Sequence, residues 1–208
     1  GVLSYIERLK RINYLILFLI LVLFSFGLLA LYSVSDGNFN LWPRGHLYRF
    51  ILGLTLIFFL SVIDIKIIFN LAYPVFILNI FVLILIPFIG TESFGATRWI
   101  KIAGISLQPS EFIKYTLIIA LAKYYHSMQD ANINSIPKLI IPCFFVVMPT
   151  IIVFMQPDLG TALVIALGSI SIFWIAGISY SYFISIGFIG LLSIPVGWQF
   201  LKEYQKER

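Results

Sequence analysis

Polar and apolar positions along this chain fall in long blocks rather than in alternation. Charge is absent from residues 12–35, 67–91, 139–157 and 159–201. Each run reaches or exceeds the roughly 18–20 apolar residues of a membrane-spanning helix, and the last is long enough for two. The blocks predict seven spans, near 12–32, 47–63, 71–89, 109–125, 139–155, 159–176 and 180–200. Asp64 and Lys66 close the second span. Pro74 and Pro87 are expected near the two ends of the third, where a missing donor costs least. Gly177-Ile178-Ser179 predicts the turn between the last two. The fourth begins at Gln108-Pro109 and is less apolar than the others because it carries Glu111 and Lys114. Before it, the alternation around Ala103-Gly104 predicts a small hairpin lying against the membrane surface, with Trp99 as interfacial anchor. The expected fold class is all-α, a polytopic membrane helix bundle, with residues 1–208 forming one transmembrane domain.

Composition sharpens this. The 208 residues are 61% hydrophobic and 11% charged, against roughly 45–50% and about 25% in soluble domains. Such a chain cannot cover a water-soluble surface, which excludes a soluble enzyme. The net charge of +5 is scattered as single basic residues with no basic face, so lipid headgroups explain it better than nucleic acid. Cys143 is the lone cysteine, inside an apolar run, giving neither a disulfide framework nor a zinc spacing. The first apolar run is too long for a signal peptide and is expected to be retained. Arg8, Lys10 and Arg11 precede it and place the N-terminus in the cytoplasm. Basic residues then stand on the outer side at Arg44, Arg49, Arg98, Lys101, Lys202, Lys206 and Arg208, where an anionic substrate or ordinary headgroups would meet them. The chain opens on Gly1 rather than an initiator Met and closes on a polar stretch, which reads as a piece of a longer protein.

The candidate chemistry lies in the few polar groups near the bilayer. Glu111 and Lys114 are three residues apart and share a helix face. Ionisable groups in a membrane helix are costly and usually mark a site. For Glu111 alone, capping of the helix start is the competing role. Arg98 and Lys101 on the hairpin suit phosphate as a fork and as a point charge, or serve as interfacial cations. Asp158 reads first as the N-cap of the sixth span, and beside Arg98 or Lys114 it would orient a cation. Gln-Pro occurs at Gln108-Pro109 and Gln156-Pro157, each opening a helix on the same face, where N–H groups would point at the outer leaflet. His46 and His126 have no partner at a metal-ligand spacing, so no metal site is assigned. No cofactor is evident; a divalent cation held by Asp158 or Glu111 stays open.

Three segments together, Gly95-Ala96-Thr97-Arg98-Trp99-Ile100, Ser106-Leu107-Gln108-Pro109-Ser110-Glu111-Phe112-Ile113-Lys114 and Gln156-Pro157-Asp158-Leu159-Gly160-Thr161-Ala162-Leu163, resemble the SEDS family of bacterial cell-shape and division proteins (RodA, FtsW, SpoVE). Leu159 and the closing Tyr204-Gln205-Lys206-Glu207-Arg208 look more like RodA than FtsW. The resemblance implies a peptidoglycan glycosyltransferase that polymerises lipid II, an undecaprenyl-pyrophosphoryl disaccharide-peptide, on the outer face of the cytoplasmic membrane. A class B penicillin-binding protein is the implied crosslinking partner. It also implies a larger set of helices around a cavity lined by Glu111 and Lys114, with Gln108, Arg98, Lys101 and Asp158 nearby. The catalytic acid is expected in the outer loop beyond Arg208, so no catalytic residue is assigned here and the chain alone is expected to be inactive. A lipid-linked precursor flippase and a scaffold of the elongation or division complex are the alternatives.

Overall fold

The computed structural model describes residues 4–93, 96–102, 105–128 and 132–200, with backbone alone for 91–93 and 96. The resemblance positions Gly95 and 204–208, the hairpin tip 103–104, and the outer cations Lys202, Lys206 and Arg208 lie outside the described residues. Contacts divide the chain into two units, 1–68 and 69–208.

In the first unit, α1 (Tyr5–Lys10) is a short helix that hydrophobic blocks could not announce. Its start is fixed by a capping box: Ser4 Oγ accepts from Glu7 N at 3.3 Å, and the Glu7 carboxylate accepts from Ser4 N at 2.8 Å. Arg8 ties it down, donating to the Val62 carbonyl at 3.0 Å and to Asp64 Oδ2 at 3.2 Å. Next come α2 (Tyr14–Val34), capped by Asn13, and α3 (Trp42–Val62). The latter starts earlier than the apolar pattern suggests because Pro43 occupies its first turn, where its fixed φ favours entry and its missing donor is harmless. The Phe24 ring stacks on His46 at 5.0 Å and on Phe50 at 3.8 Å, fastening α2 to α3.

Most of α4 (Ile65–Ile89) belongs to the second unit. It begins immediately after Asp64, whose Oδ1 accepts from Lys66 N at 2.9 Å. The early start corrects one expectation: Pro74 is inside the helix rather than near its beginning, whereas Pro87 does sit in the last turn. A three-stranded antiparallel sheet follows, in the order β1 (Thr91–Ser93), β2 (Ala96–Ile102), β3 (Ile105–Leu107). The expected hairpin is there, with Ile102 opposite Ile105, and β1 extends it by one strand. Gly90 makes the junction possible. A Cβ there would lie 2.7 Å from the Ile86 carbonyl and 3.0 Å from that of Trp99, so the helix end meets strand backbone with no room for a side chain.

The chain continues through α5 (Pro109–His126), α6 (Ile136–Met155), α7 (Leu159–Ala176) and α8 (Tyr180–Gln199). Gly177 ends α7 at φ 92°, and Ile178 N returns to the Phe173 carbonyl at 3.1 Å, a Schellman-type stop. Phe76 and Leu83 of α4, Ile113 and Leu117 of α5, Val153 of α6 and Ile165 of α7 meet in one buried core. Six helices among the described residues are long and apolar enough to cross a membrane: α2, α3, α4, α6, α7 and α8. The exception, α5, carries Glu111, Lys114 and Lys123. It nevertheless runs parallel to α7 from end to end. Gln108 Nε2 lies 3.0 Å from Asp158 Oδ2 at one end, and the Tyr125 and Phe173 rings are 6.0 Å apart at the other.

Candidate functional site

The helix starts of α5 and α7 come together, and Asp158 is the hinge of that meeting. Its Oδ1 accepts from Thr161 N at 3.2 Å, the N-cap role its position suggests. Its Oδ2 accepts from Thr161 Oγ1 at 2.9 Å and from Gln108 Nε2 at 3.0 Å. Arg98 Nη1 stands 3.8 Å from the same oxygen, an ion pair longer than a hydrogen bond. Gln108 occupies the N-cap position of α5 but does not cap it; its amide is turned to Ser110 Oγ at 2.8 Å and to Asp158. One carboxylate therefore clasps β2, the start of α5 and the start of α7.

Glu111 and Lys114 form the second feature. Lys114 Nζ donates to Glu111 Oε2 at 2.6 Å, with side-chain exposures of 24% and 50% respectively, so the pair is partly exposed. The Glu111 carboxylate is spent on the lysine. Among the described residues Arg98 and Lys114 are each matched by a carboxylate, while Lys101 is exposed on β2 and joins no ion pair. Arg98 Nε is buried with no partner among the described residues, so this guanidinium keeps an unused donor. No group of three or more His, Cys, Asp or Glu converges among the described residues.

Sequence reasoning missed Asn79. This amide in the apolar α4 donates to the Pro109 carbonyl at 3.2 Å and accepts from Thr116 Oγ1 at 3.0 Å. At about 100° per residue, positions 109 and 116 share a face of α5, and Glu111 and Lys114 project roughly opposite. Asn79 thus grips the back of the helix whose front carries the charged pair. The signal in the sequence was one of two amides, Asn70 and Asn79, within an uncharged run, and that does not name its partner. On the same rear face an apolar groove of about 290 Å³ runs between α4, α5 and the hairpin, lined by Val75, Leu78, Val82, Ile100, Leu107 and Phe112, with Asn79 and Thr116 as its polar points.

Long apolar helices, with a polar constellation at the shared end of two of them, define a polytopic membrane helix bundle. A family model described as a cell cycle protein, FtsW/RodA/SpoVE, matches residues 9–208, and the chain belongs to that family. Stage V sporulation protein E of Bacillus subtilis is 32% identical over 188 residues, covering 85% of this chain and 51% of that protein. The peptidoglycan glycosyltransferase MrdB of Escherichia coli is 26% identical over 193 residues, covering 92% and 51%. Among solved structures, a peptidoglycan synthase complex described for its coordination of polymerization and crosslinking superposes with TM-score 0.80 at 26% identity, covering 95% of this chain and 58% of that one. RodA of Thermus thermophilus gives TM-score 0.73 at 26% identity, covering 88% and 60%. The chain spans about half the length of the curated relatives it matches.

Proposed function

We propose that this chain is the site-bearing portion of a peptidoglycan glycosyltransferase that polymerises lipid II on the outer face of the cytoplasmic membrane, with its N-terminus in the cytoplasm. The observation that carries the reading is the Glu111–Lys114 pair, half open at the start of α5 beside the Arg98–Asp158–Gln108 clasp. Relatives named peptidoglycan glycosyltransferase support it. Glycosyl transfer from a lipid pyrophosphate needs cationic charge where the leaving group gains negative charge. Lys114 supplies an ammonium oriented by Glu111. Arg98, weakly held by Asp158 at 3.8 Å, supplies a guanidinium that a pyrophosphate can draw away. Lys101, exposed on the hairpin, adds a cation along the approach. The base for the attacking sugar hydroxyl is assigned to no described residue. A class B penicillin-binding protein is the proposed crosslinking partner, supported by the likeness to a synthase complex that couples polymerization with crosslinking.

The test is to incubate the full-length protein in detergent with purified lipid II, with and without the transpeptidase. Glycan polymer is the expected product. A flippase cannot yield it, since no bilayer separates two sides; absence of polymer in both incubations overturns the reading.

A further inference from the structure

Prolines interrupt three of the membrane helices: Pro74 and Pro87 in α4, Pro142 and Pro149 in α6, Pro195 in α8. Each lacks the N–H that would bond the carbonyl four residues earlier, and in hydrocarbon such a carbonyl must find a donor within the protein. Two of these vacated acceptors are taken by side chains from other segments. Pro142 vacates the Lys138 carbonyl, which accepts from the Tyr124 hydroxyl at 2.8 Å. Pro87 vacates the Leu83 carbonyl, which accepts from Gln156 Nε2 at 3.3 Å.

The second case bears on the site. Gln156 is the C-cap residue of α6, only 6% exposed, and stands two residues before Asp158. Its other amide atom, Oε1, is buried with no partner among the described residues. A half-satisfied buried amide is a poor way to gain stability, since an apolar residue of like shape carries no such desolvation cost. Its one side-chain bond joins the α6–α7 junction to α4. We infer that Gln156 is a positioning residue: by reading the carbonyl that Pro87 vacates, it sets the junction so that Asp158 meets Gln108 and Arg98. Pro87 and Gln156 are then one device, a gap in one helix and the side chain that fills it.

The test is a cycle in the full-length protein: Gln156→Met, which keeps length but cannot donate; Pro87→Ala, which returns an N–H to the Leu83 carbonyl; and both together. Thermal midpoint in detergent and turnover at saturating lipid II are read for each. Gln156→Met is expected to lower turnover about tenfold, less than the roughly hundredfold that a 1 Å misplacement of site groups can cost. In the Pro87→Ala background the same change should cost less than about twofold, and the midpoint lost in the single variant should return. Unchanged turnover in Gln156→Met, or an equal loss in both backgrounds, overturns the inference. If Gln156→Met gives no folded protein, recovery of folded protein in the double variant supports it and failure to recover overturns it. The turnover arm rests on the glycosyltransferase reading. A wild-type protein that makes no polymer sinks that reading alone and leaves the midpoint cycle to decide the coupling.

Discussion

A carboxylate and an ammonium three residues apart on one helix neutralise one another, so their removal should be felt as chemistry more than as loss of fold. The Glu111–Lys114 contact is half open to its surroundings, and pairs so exposed contribute at most about 1 kcal/mol to stability. Glu111→Ala and Lys114→Ala should each reduce lipid II polymerisation at least a hundredfold while the detergent-solubilised protein keeps its thermal midpoint within a few degrees. Near-wild-type polymer yield from either variant returns that residue to a structural role. Asp64 answers a different question at the same scale. The Lys66 backbone N–H, and then the Arg8 guanidinium, hold its carboxyl below the ordinary value of 3.8. A lowered folded-state value means its contribution is complete above the ordinary range and is lost as pH falls through the lowered value. The difference in midpoint between wild type and Asp64→Asn should therefore be constant from neutral pH down to about 5 and shrink below 3.8. A difference that persists unchanged in acid would assign it to something other than the ionised carboxylate.

At the scale of elements, the long helices were legible because a span in hydrocarbon must be apolar throughout and its ends are marked by charge. The start of α3 and the early start of α4 were less so, since Pro43 and the Asp64 cap act through backbone bonds that hydropathy does not register. The charged pair was visible as a spacing within one helix. The Asp158 clasp was visible only as a set of candidates, and the contacts of Asn79 and Gln156 were not visible, because their partners lie 30 to 73 residues away. The junctions are where substitution should tell most. Gly90→Ala would place a methyl group against two backbone oxygens and Thr97, and should destabilise the protein by about 1–3 kcal/mol, as overpacking does. Gly187→Ala, where nothing lies within 4 Å, is the control and should be neutral or slightly stabilising. Equal midpoints for the two variants would remove the close approach at Gly90 as a constraint. Asn79→Leu should cost about 1–3 kcal/mol through the Thr116 hydroxyl it leaves without its partner, and far less when combined with Thr116→Val if the Asn79–Thr116 bond carries the effect.

The number of crossings across the molecule turns on α5, the one long helix among the described residues whose three charges set it apart from the apolar spans. Each of those charges has company: Glu111 and Lys114 hold one another, and Lys123 Nζ lies 4.8 Å from the Phe69 ring centre and 4.6 Å from that of Tyr73. Cation–π contact of this kind offsets part of the cost of placing an ammonium near apolar surface. At about 1.5 Å per residue, the 18 residues of α5 span roughly 27 Å, the same as α7 beside it. A helix pinned at both ends to a spanning neighbour must cross with it, so the hairpin and the segment before α6 should lie on opposite sides of the membrane. In a Cys143→Ser background, Lys101→Cys and Asn134→Cys should react with a membrane-impermeant thiol reagent from opposite faces, Lys101→Cys from outside in intact cells if the N-terminus is cytoplasmic. Labelling of both from one face would mean that α5 re-enters rather than crosses, and the charged pair would then sit at a membrane surface instead of in the helical body.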